Sequence, residues 1–367
     1  MNNIIYTAHP STVMTLDAGG SGFVFSAIRG GEELTAPVIL PAEVADLSRC
    51  LQILTEGFRT VRASLPEPPA AISFAFPGPA DYAAGVIGDL PNFPAFRGGV
   101  ALGAFLEERF GLPVFINNDG NLFAYGEALA GALPDINRRL KEAGNPKQYR
   151  NLLGVTLGTG FGAGVVIDGK LLTGDNGAGG DVWCLRNRKY PQYIVEESVS
   201  IRAVKRVYAE LSGDGTARSP KDVFRIAEGI LPGNREAAVR SFAELGQMAG
   251  DALAAAVTIV DAPIVIGGGL SGAGKYILPA LLAEMNSHTG MMDGSRFGRL
   301  QMKVFNLDDE AELHRFTSRH TAQAVIPGAG RTVPYDGLKR IGVTICRRDT
   351  SRSIAMGAYL YALNHLT

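Results

Sequence analysis

The feature that most constrains this chain is a pattern that occurs twice. Val13 to Arg29, VMTLDAGGSGFVFSAIR, reads as an apolar run, a glycine-rich turn and a second apolar run, the signature of strand, turn and strand. From Leu152 the pattern returns as LLGVTLGTGFGAGVVIDGKLL. The residues of the two segments barely match, so the likeness is one of pattern. Two glycine-tipped hairpins, one early in each half, nevertheless point to two related lobes. Length agrees: 367 residues exceed the roughly 250–300 at which a single hydrophobic core stops growing, so two domains with a cleft between them are expected.

Between and after the hairpins the periodicity changes. A helix is predicted from about Ala42 to Ala63, and Ala71 to Phe76 reads as a buried strand ended by Pro77-Gly78-Pro79, which continues neither ladder nor helix. Gly98 to Phe110 reads as an amphipathic helix and Pro113 to Ile116 as a short buried strand. That strand delivers Asn117, Asn118, Asp119 and Gly120 to a helix over about Asn121 to Ala132. From Val199 helices dominate, with a long one at Arg235 to Val260. Ala262 to Ile266 is then a strand ending in Gly267, Gly268 and Gly269, and a helix follows over Tyr276 to Ser287. Met302 to Arg352 is mixed and receives no assignment beyond an apolar run at Ile341 to Cys346. Ser353 to Leu366 is apolar at helical spacing.

Charge and cysteine content exclude several classes. A formal net charge of -1 without a basic run lacks the footprint of a nucleic-acid partner. Cys50, Cys184 and Cys346 are too far apart for a disulfide framework or a cysteine zinc knuckle. No stretch gives ~18 uninterrupted apolar residues and the first residues lack a leader pattern, so a cytoplasmic protein without a membrane span is expected.

The glycine turns carry the chemistry. Asp17-Ala18-Gly19-Gly20-Ser21-Gly22 offers unobstructed backbone N–H groups to a phosphate, with the Ser21 hydroxyl beside them. Asp17 is placed to hold magnesium through water, since that ion prefers hard oxygen ligands and keeps part of its hydration shell. A plain hairpin turn with a structural aspartate explains the same letters. Gly158-Thr159-Gly160 is the tip of the second such turn. Gly158 to Ala163 also satisfies a dinucleotide fingerprint, which is rejected because a strand pattern follows where that fingerprint needs a helix. Gly269 to Tyr276, GLSGAGKY, imitates a phosphate-binding P-loop but has Tyr276 where the magnesium-binding hydroxyl belongs. The glycines at 267–269 can instead let the backbone approach a nucleotide closely, or simply turn strand into helix.

In order and spacing, these segments resemble the ROK family of sugar kinases and sugar-responsive repressors. DAGGS resembles the family's first phosphate loop and Pro91-Asn92 its sugar-contacting stretch. PVFINNDGNLFAYGEA is similar to its catalytic strand and helix, and LGTGFGAGVVIDGKLLTGDNGAGG to its second phosphate loop. PIVIGGG resembles its adenosine segment and SIAMGAYLYAL its terminal helix. The resemblance implies an α/β, two-lobed actin/hexokinase-like (ribonuclease H-like) fold with an interlobe cleft. Lobe boundaries are expected at 1–128 plus 353–367 and at 129–352. It implies ATP and magnesium as cofactors, bound by Asp17, Gly19, Gly20, Ser21, Gly158, Thr159, Gly160, Gly267, Gly268 and Gly269. Asn92, Asn118, Asp181 and Glu196 would bind sugar, and Asp119 would take the proton from the sugar hydroxyl. Phosphoryl transfer independently needs a carboxylate near the attacking hydroxyl. Asp119 also reads as a helix N-cap, and Glu196 as a solvent-facing helix start.

The chain departs from the family in two places. The sugar-binding Glu-x-Gly-His is absent: Ala178-Gly179-Gly180-Asp181-Val182-Trp183 stands there, with Asp181 replacing the glutamate if the register slips by one. The zinc motif is absent too, only Cys184 remaining before Glu196, so no zinc is expected. Without suitably spaced partners, His314 and His320 read as surface or core residues. The first expectation is therefore an ATP-dependent kinase phosphorylating a hexose or amino-hexose. The alternative is a sugar- or nucleotide-binding sensor of the same fold. A repressor fits less well, because little sequence precedes the first strand to carry a helix-turn-helix. A P-loop NTPase is the third reading. Family behaviour also admits a homodimer.

Overall fold

The first hairpin folds as β1 (Val13–Ala18) against β2 (Gly22–Arg29), antiparallel, with Val13 opposite Ile28 and Ala18 opposite Phe23. The computed structural model describes residues 6–18, 22–43, 45–88 and 94–366. On its outer side β2 receives the short strands β3 (Glu32–Glu33) and β4 (Val38–Pro41). Helix α1 (Leu47–Ser64) follows, capped by the Asp46 carboxylate on the Arg49 N–H at 3.0 Å, an interaction worth about 1 kcal/mol. β5 (Ala71–Ala75) then inserts beside β1, parallel. A small three-stranded sheet of β6 (Ala80–Asp81), β7 (Val86–Ile87) and β8 (Val100–Ala101) leads into α2 (Leu102–Phe110). β9 (Val114–Asn117) joins β5 in parallel, and α3 (Asp119–Ala130) leaves it. The sheet reads β3-β2-β1-β5-β9.

β1 and β5 are buried along most of their length, with α10 packed on both, which is why they read as largely apolar runs rather than as a strict alternation. Aromatic rings form the spine of this core. Phe25 meets Phe58 with centroids 5.1 Å apart, Phe58 meets Phe74 at 5.9 Å, and Phe76 meets Phe96 at 5.2 Å. Each such pair adds about 0.5–1.5 kcal/mol beyond the area it buries.

After α4 (Ala132–Glu142), β10 (Leu152–Leu157) begins a second sheet, and β11 (Phe161–Ile167) returns beside it and pairs with β12 (Lys170–Leu171). Three helices follow: α5 (Ile201–Ser212), α6 (Pro220–Ala227) and α7 (Arg235–Val260). α6 starts with a full capping box, Ser219 and Asp222 bonding each other's backbone N–H. β13 (Ile264–Gly267) then pairs in parallel with β10, and α8 (Gly274–Met285) packs on α7.

The unassigned stretch resolves into structure. An exposed hairpin, β14 (His288–Gly290) and β15 (Arg296–Gly298), precedes β16 (Lys303–Asn306) and α9 (Glu310–Thr317). A second exposed hairpin, β17 (Thr321–Val325) and β18 (Thr332–Asp336), precedes β19 (Arg340–Ile345), which inserts between β13 and β16. Arg340 anchors that crossover although its side chain is fully buried. Its guanidinium meets both Asp336 oxygens at 2.9 Å and donates to the Phe316 carbonyl at 2.7 Å, which compensates its desolvation. The chain ends in α10 (Thr350–Leu366).

The second sheet, β12-β11-β10-β13-β19-β16, repeats the order of the first: an antiparallel hairpin followed by parallel strands. The molecule divides into two units, Met1–Gly131 with Gly164–Gly180 and Arg348–Thr367, and Ala132–Ala163 with Asp181–Arg347. Against the expected boundaries, 164–180 moves to the first unit. Its reason is a bare backbone contact, since a Cβ on Gly164 would stand 2.6 Å from the Gly120 carbonyl oxygen and 2.7 Å from Asn121 Cα. In the same unit α10 packs on α3 with Gly357 against the Leu122 carbonyl and Gly126 against that of Ser353, an approach that side chains would prevent. Among the described residues no helix is long and apolar enough to cross a membrane.

Candidate active site

In parallel sheets, ligands gather outside the carboxyl ends of the strands. In the first unit those ends are level: Asp17 on β1 lies opposite Ala75 on β5, and Ala75 opposite Asn117 on β9. Asn117 is buried. Its Oδ1 accepts from the Asn118 N–H and from Asn121 Nδ2, both at 2.9 Å, which staples the end of β9 to the first turn of α3.

That turn decides between two roles for neighbouring residues. Asn118, in extended conformation, is the N-cap: its Oδ1 accepts the Asn121 N–H at 2.6 Å. Asp119 is therefore the first helical residue and is relieved of capping. Its carboxylate faces the Gly120 N–H at 2.8 Å. Asp119 keeps contact with solvent, yet enough protein crowds it that desolvation holds its carboxyl above the ordinary aspartate range. The negative charge of Asp17 adds to that rise, while the backbone N–H groups of Gly120 and of Asp119 itself oppose it. A carboxyl raised by desolvation and a like charge, at the carboxyl edge of a parallel sheet, marks Asp119 as a candidate functional group.

The same two carboxylates bear on magnesium. A divalent cation prefers oxygen ligands and would relieve their repulsion, so Asp17 fits the ion that the sequence expectation assigns to it. Among the described residues no cluster of three or more His, Cys, Asp or Glu is grouped as a metal site would be. His320 Nε2 lies 2.9 Å from the Arg315 carbonyl oxygen. Gly19, Gly20, Ser21 and Asn92 lie outside the described residues.

In the second unit two glycine segments leave the sheet together, since Thr156 on β10 lies opposite Gly267 on β13. Gly268 has a φ of 89°, and a Cβ there would collide with the Leu157 backbone, so only glycine fits. The Leu270 N–H donates to the Leu157 carbonyl at 3.0 Å, fixing the triple glycine against the root of the 158–160 turn. Gly268 is thus a packing glycine, whereas Gly158 and Gly269 have nothing within 4 Å of where a Cβ would be. Thr159 at the tip is exposed. Strand β11 follows directly, confirming that the glycine run lacks the helix a dinucleotide fingerprint requires. The P-loop imitation fails also, because Lys275 lies 2.7 Å from the Glu228 carboxylate, which accepts the Tyr276 hydroxyl at 2.7 Å.

Asp181 begins a single 3₁₀ turn, Val182–Cys184. Its carboxyl is raised, chiefly by burial, with the hydrogen bond from Trp183 opposing. Trp183 remains 39% exposed. The loop that follows has an organiser that the sequence did not flag. Asn187, fully buried, donates to Ser198 Oγ at 2.8 Å and to the Ile194 carbonyl at 3.3 Å, while its Oδ1 accepts from the Lys189 and Tyr190 N–H groups, both at 3.0 Å. Arg188 pairs with the buried Glu284 on α8.

Glu196 lies close to the second glycine turn. Its Oε2 accepts the Phe161 N–H at 2.9 Å and its Oε1 the Arg202 guanidinium at 2.8 Å. Arg202 had no sequence signal, because its partners are scattered along the chain.

Comparison with known proteins identifies relatives of the chain. The family model described as ROK family matches residues 15–296. The chain is 66% identical to a glucokinase from Parabacteroides distasonis whose crystal structure superposes with a TM-score of 0.89, covering 99% of this chain and 100% of that one. A ROK family glucokinase from Streptomyces griseus, solved with glucose and AMPPNP, shares the fold at 19% identity and a TM-score of 0.62, covering 95% of this chain and 99% of that one. The glucokinase of Streptomyces coelicolor is 29% identical over 195 residues, which are 47% of this chain and 56% of that protein, so the match spans about half its length. Together these likenesses establish an actin/hexokinase-like fold.

Proposed function

Because this chain belongs to the ROK family, we propose that it is an ATP-dependent sugar kinase that transfers the γ-phosphoryl group to a hydroxyl of a hexose or amino-hexose. The observation that carries the reading is the division of labour at the start of α3. Asn118 caps the helix, and Asp119 presents a carboxyl whose proton affinity is raised beside Asp17. The likeness to the Parabacteroides distasonis glucokinase supports the sugar kinase class, and the AMPPNP complex of a fold relative supports ATP as donor.

In this reading Asp119 accepts the proton as the sugar oxygen bonds to the γ-phosphorus and the bond from that phosphorus to the β,γ-bridging oxygen breaks, ADP leaving. The N–H groups of the 158–160 turn, with the Thr159 hydroxyl, hold phosphate oxygens. The open side of Gly269 admits the nucleoside. Asn118 and Asp181 bind sugar hydroxyls, Asn118 through the amide nitrogen that its cap does not use. Asp17 would hold magnesium, which when bound would supply neutralisation of phosphate charge.

The test is ADP release on incubation with ATP, magnesium and a panel of hexoses and N-acetylhexosamines, with identification of the phosphorylated sugar. Sugar-dependent ADP and a sugar phosphate are expected. Sugar binding without ADP from any member of the panel would instead favour the sensor reading, whose motive is the absence of the Glu-x-Gly-His and zinc motifs.

A further inference from the structure

The turn at 158–161 is held from one side by a single short segment. The Ile201 N–H donates to the Gly158 carbonyl at 2.8 Å. Arg202 Nη1 donates to the Thr159 carbonyl at 3.3 Å. Glu196 Oε2 accepts the Phe161 N–H at 2.9 Å and lies 2.6 Å from where a Cβ of Gly160 would be. Four consecutive residues of the turn are thus touched by residues 196–202. Glu196 is in turn fixed by Arg202 Nη2 on its Oε1 at 2.8 Å, and Arg202 Nε is fixed by Glu197 Oε1 at 2.9 Å.

This geometry assigns Glu196 work that its resemblance to a sugar-contacting glutamate did not foresee. We propose that Glu196 and Arg202 serve the nucleotide: they hold the backbone of the Gly158–Phe161 turn in its phosphate-binding shape, Arg202 being a positioning residue that acts both through Glu196 and directly on the Thr159 carbonyl. The physical reason lies in the turn itself. Glycines that leave N–H groups open to phosphate also leave the backbone free to take other shapes, and that freedom has to be removed before the donors converge. A carboxylate on the Phe161 N–H and a guanidinium on the Thr159 carbonyl remove it without occupying the open side at Gly158. Glu196 keeps 20% of its side chain exposed, so its bond to the Phe161 N–H is partly shielded from water, whereas the pair with Arg202, whose side chain is 44% exposed, is screened more.

The inference rests on the kinase reading, and its test separates the two. Steady-state KM for ATP and for sugar, and the Kd for AMPPNP, are measured for the wild type, Arg202→Ala, Arg202→Lys and Glu196→Ala. Loss of charge-assisted bonds to the turn raises KM for ATP and Kd for AMPPNP about tenfold in Arg202→Ala and further in Glu196→Ala, with KM for sugar within about twofold of wild type. Arg202→Lys, which keeps the pairing charge for Glu196, recovers part of the loss, which a general loss of packing would not predict. A rise in sugar KM with unchanged ATP KM would return Glu196 to the sugar side and overturn the proposal, as would folded variants indistinguishable from wild type. A wild type that neither binds AMPPNP nor releases ADP would overturn the kinase reading and the clamp with it. If the wild type binds AMPPNP but turns over no sugar, the Kd values alone decide.

Discussion

Replacing Asp119 by Asn removes the proposed base while leaving an oxygen that can still accept the Gly120 N–H. A positioned general base contributes roughly 10²–10⁴ in rate, equivalent to about 3–5 kcal/mol at 1.36 kcal/mol per decade. Turnover should fall by that factor in a coupled ADP assay, while AMPPNP and sugar bind as before. The pH dependence sharpens the test. Desolvation and the Asp17 charge raise the folded-state pKa of Asp119 above its unfolded value. Wild-type kcat/KM should therefore fall as pH drops through that raised value, and the residual activity of the variant should lack this limb. Linkage fixes the sign for stability: the folded state binds this proton more tightly. Ionisation of Asp119 therefore opposes folding, with no effect below the unfolded pKa and a full one above the folded pKa. Asp119→Asn should melt with the wild type in acid and at or above it near neutrality. A loss of turnover under tenfold, or an acid limb that survives in the variant, would remove Asp119 from the base role.

Three further outcomes are expected. Lys275→Ala should leave the Kd for AMPPNP unchanged, because that lysine is paired with Glu228; a lost nucleotide site would revive the P-loop reading. Asn187→Ala removes four hydrogen bonds from a buried position and should cost about 2–4 kcal/mol in urea unfolding. A cost below about 1 kcal/mol would show that the loop does not depend on it. Trp183 is the only tryptophan and bonds to Asp181, so its emission should change on adding a sugar that the protein phosphorylates and should stop responding in Asp181→Ala. Constant emission with a turned-over sugar would take Asp181 out of the sugar site.

Much of the fold was legible because its signals are local. The long helix predicted at Arg235 to Val260 is α7 to the residue, since Asn234 caps it and an apolar stripe runs along it. The two hairpins and the buried strands before Asn117 and Gly267 announced themselves as apolar runs ended by turn residues. The stretch from 302 to 350 stayed unread because β16 and β19 are short parallel strands that find each other across α9 and an exposed hairpin. No spacing rule encodes that pairing. At the site, Asn118 and Asp119 were visible as a pair, but the letters could not say which one caps the helix.

The amino-acid sequence by itself determined that there would be two glycine-tipped hairpins, an Asn-Asp at a strand-to-helix junction and a family resemblance along most of the chain, because each rests on neighbours a few residues apart. Only the tertiary structure decided that Asn118 takes the cap and Asp119 does not, that Asn187 organises its loop, and that Glu196 and Arg202 hold a turn some 40 residues before them. The reason is physical: a hydrogen bond between distant residues exists only once the intervening chain has folded, and a carboxylate's proton affinity depends on what that folding packs around it.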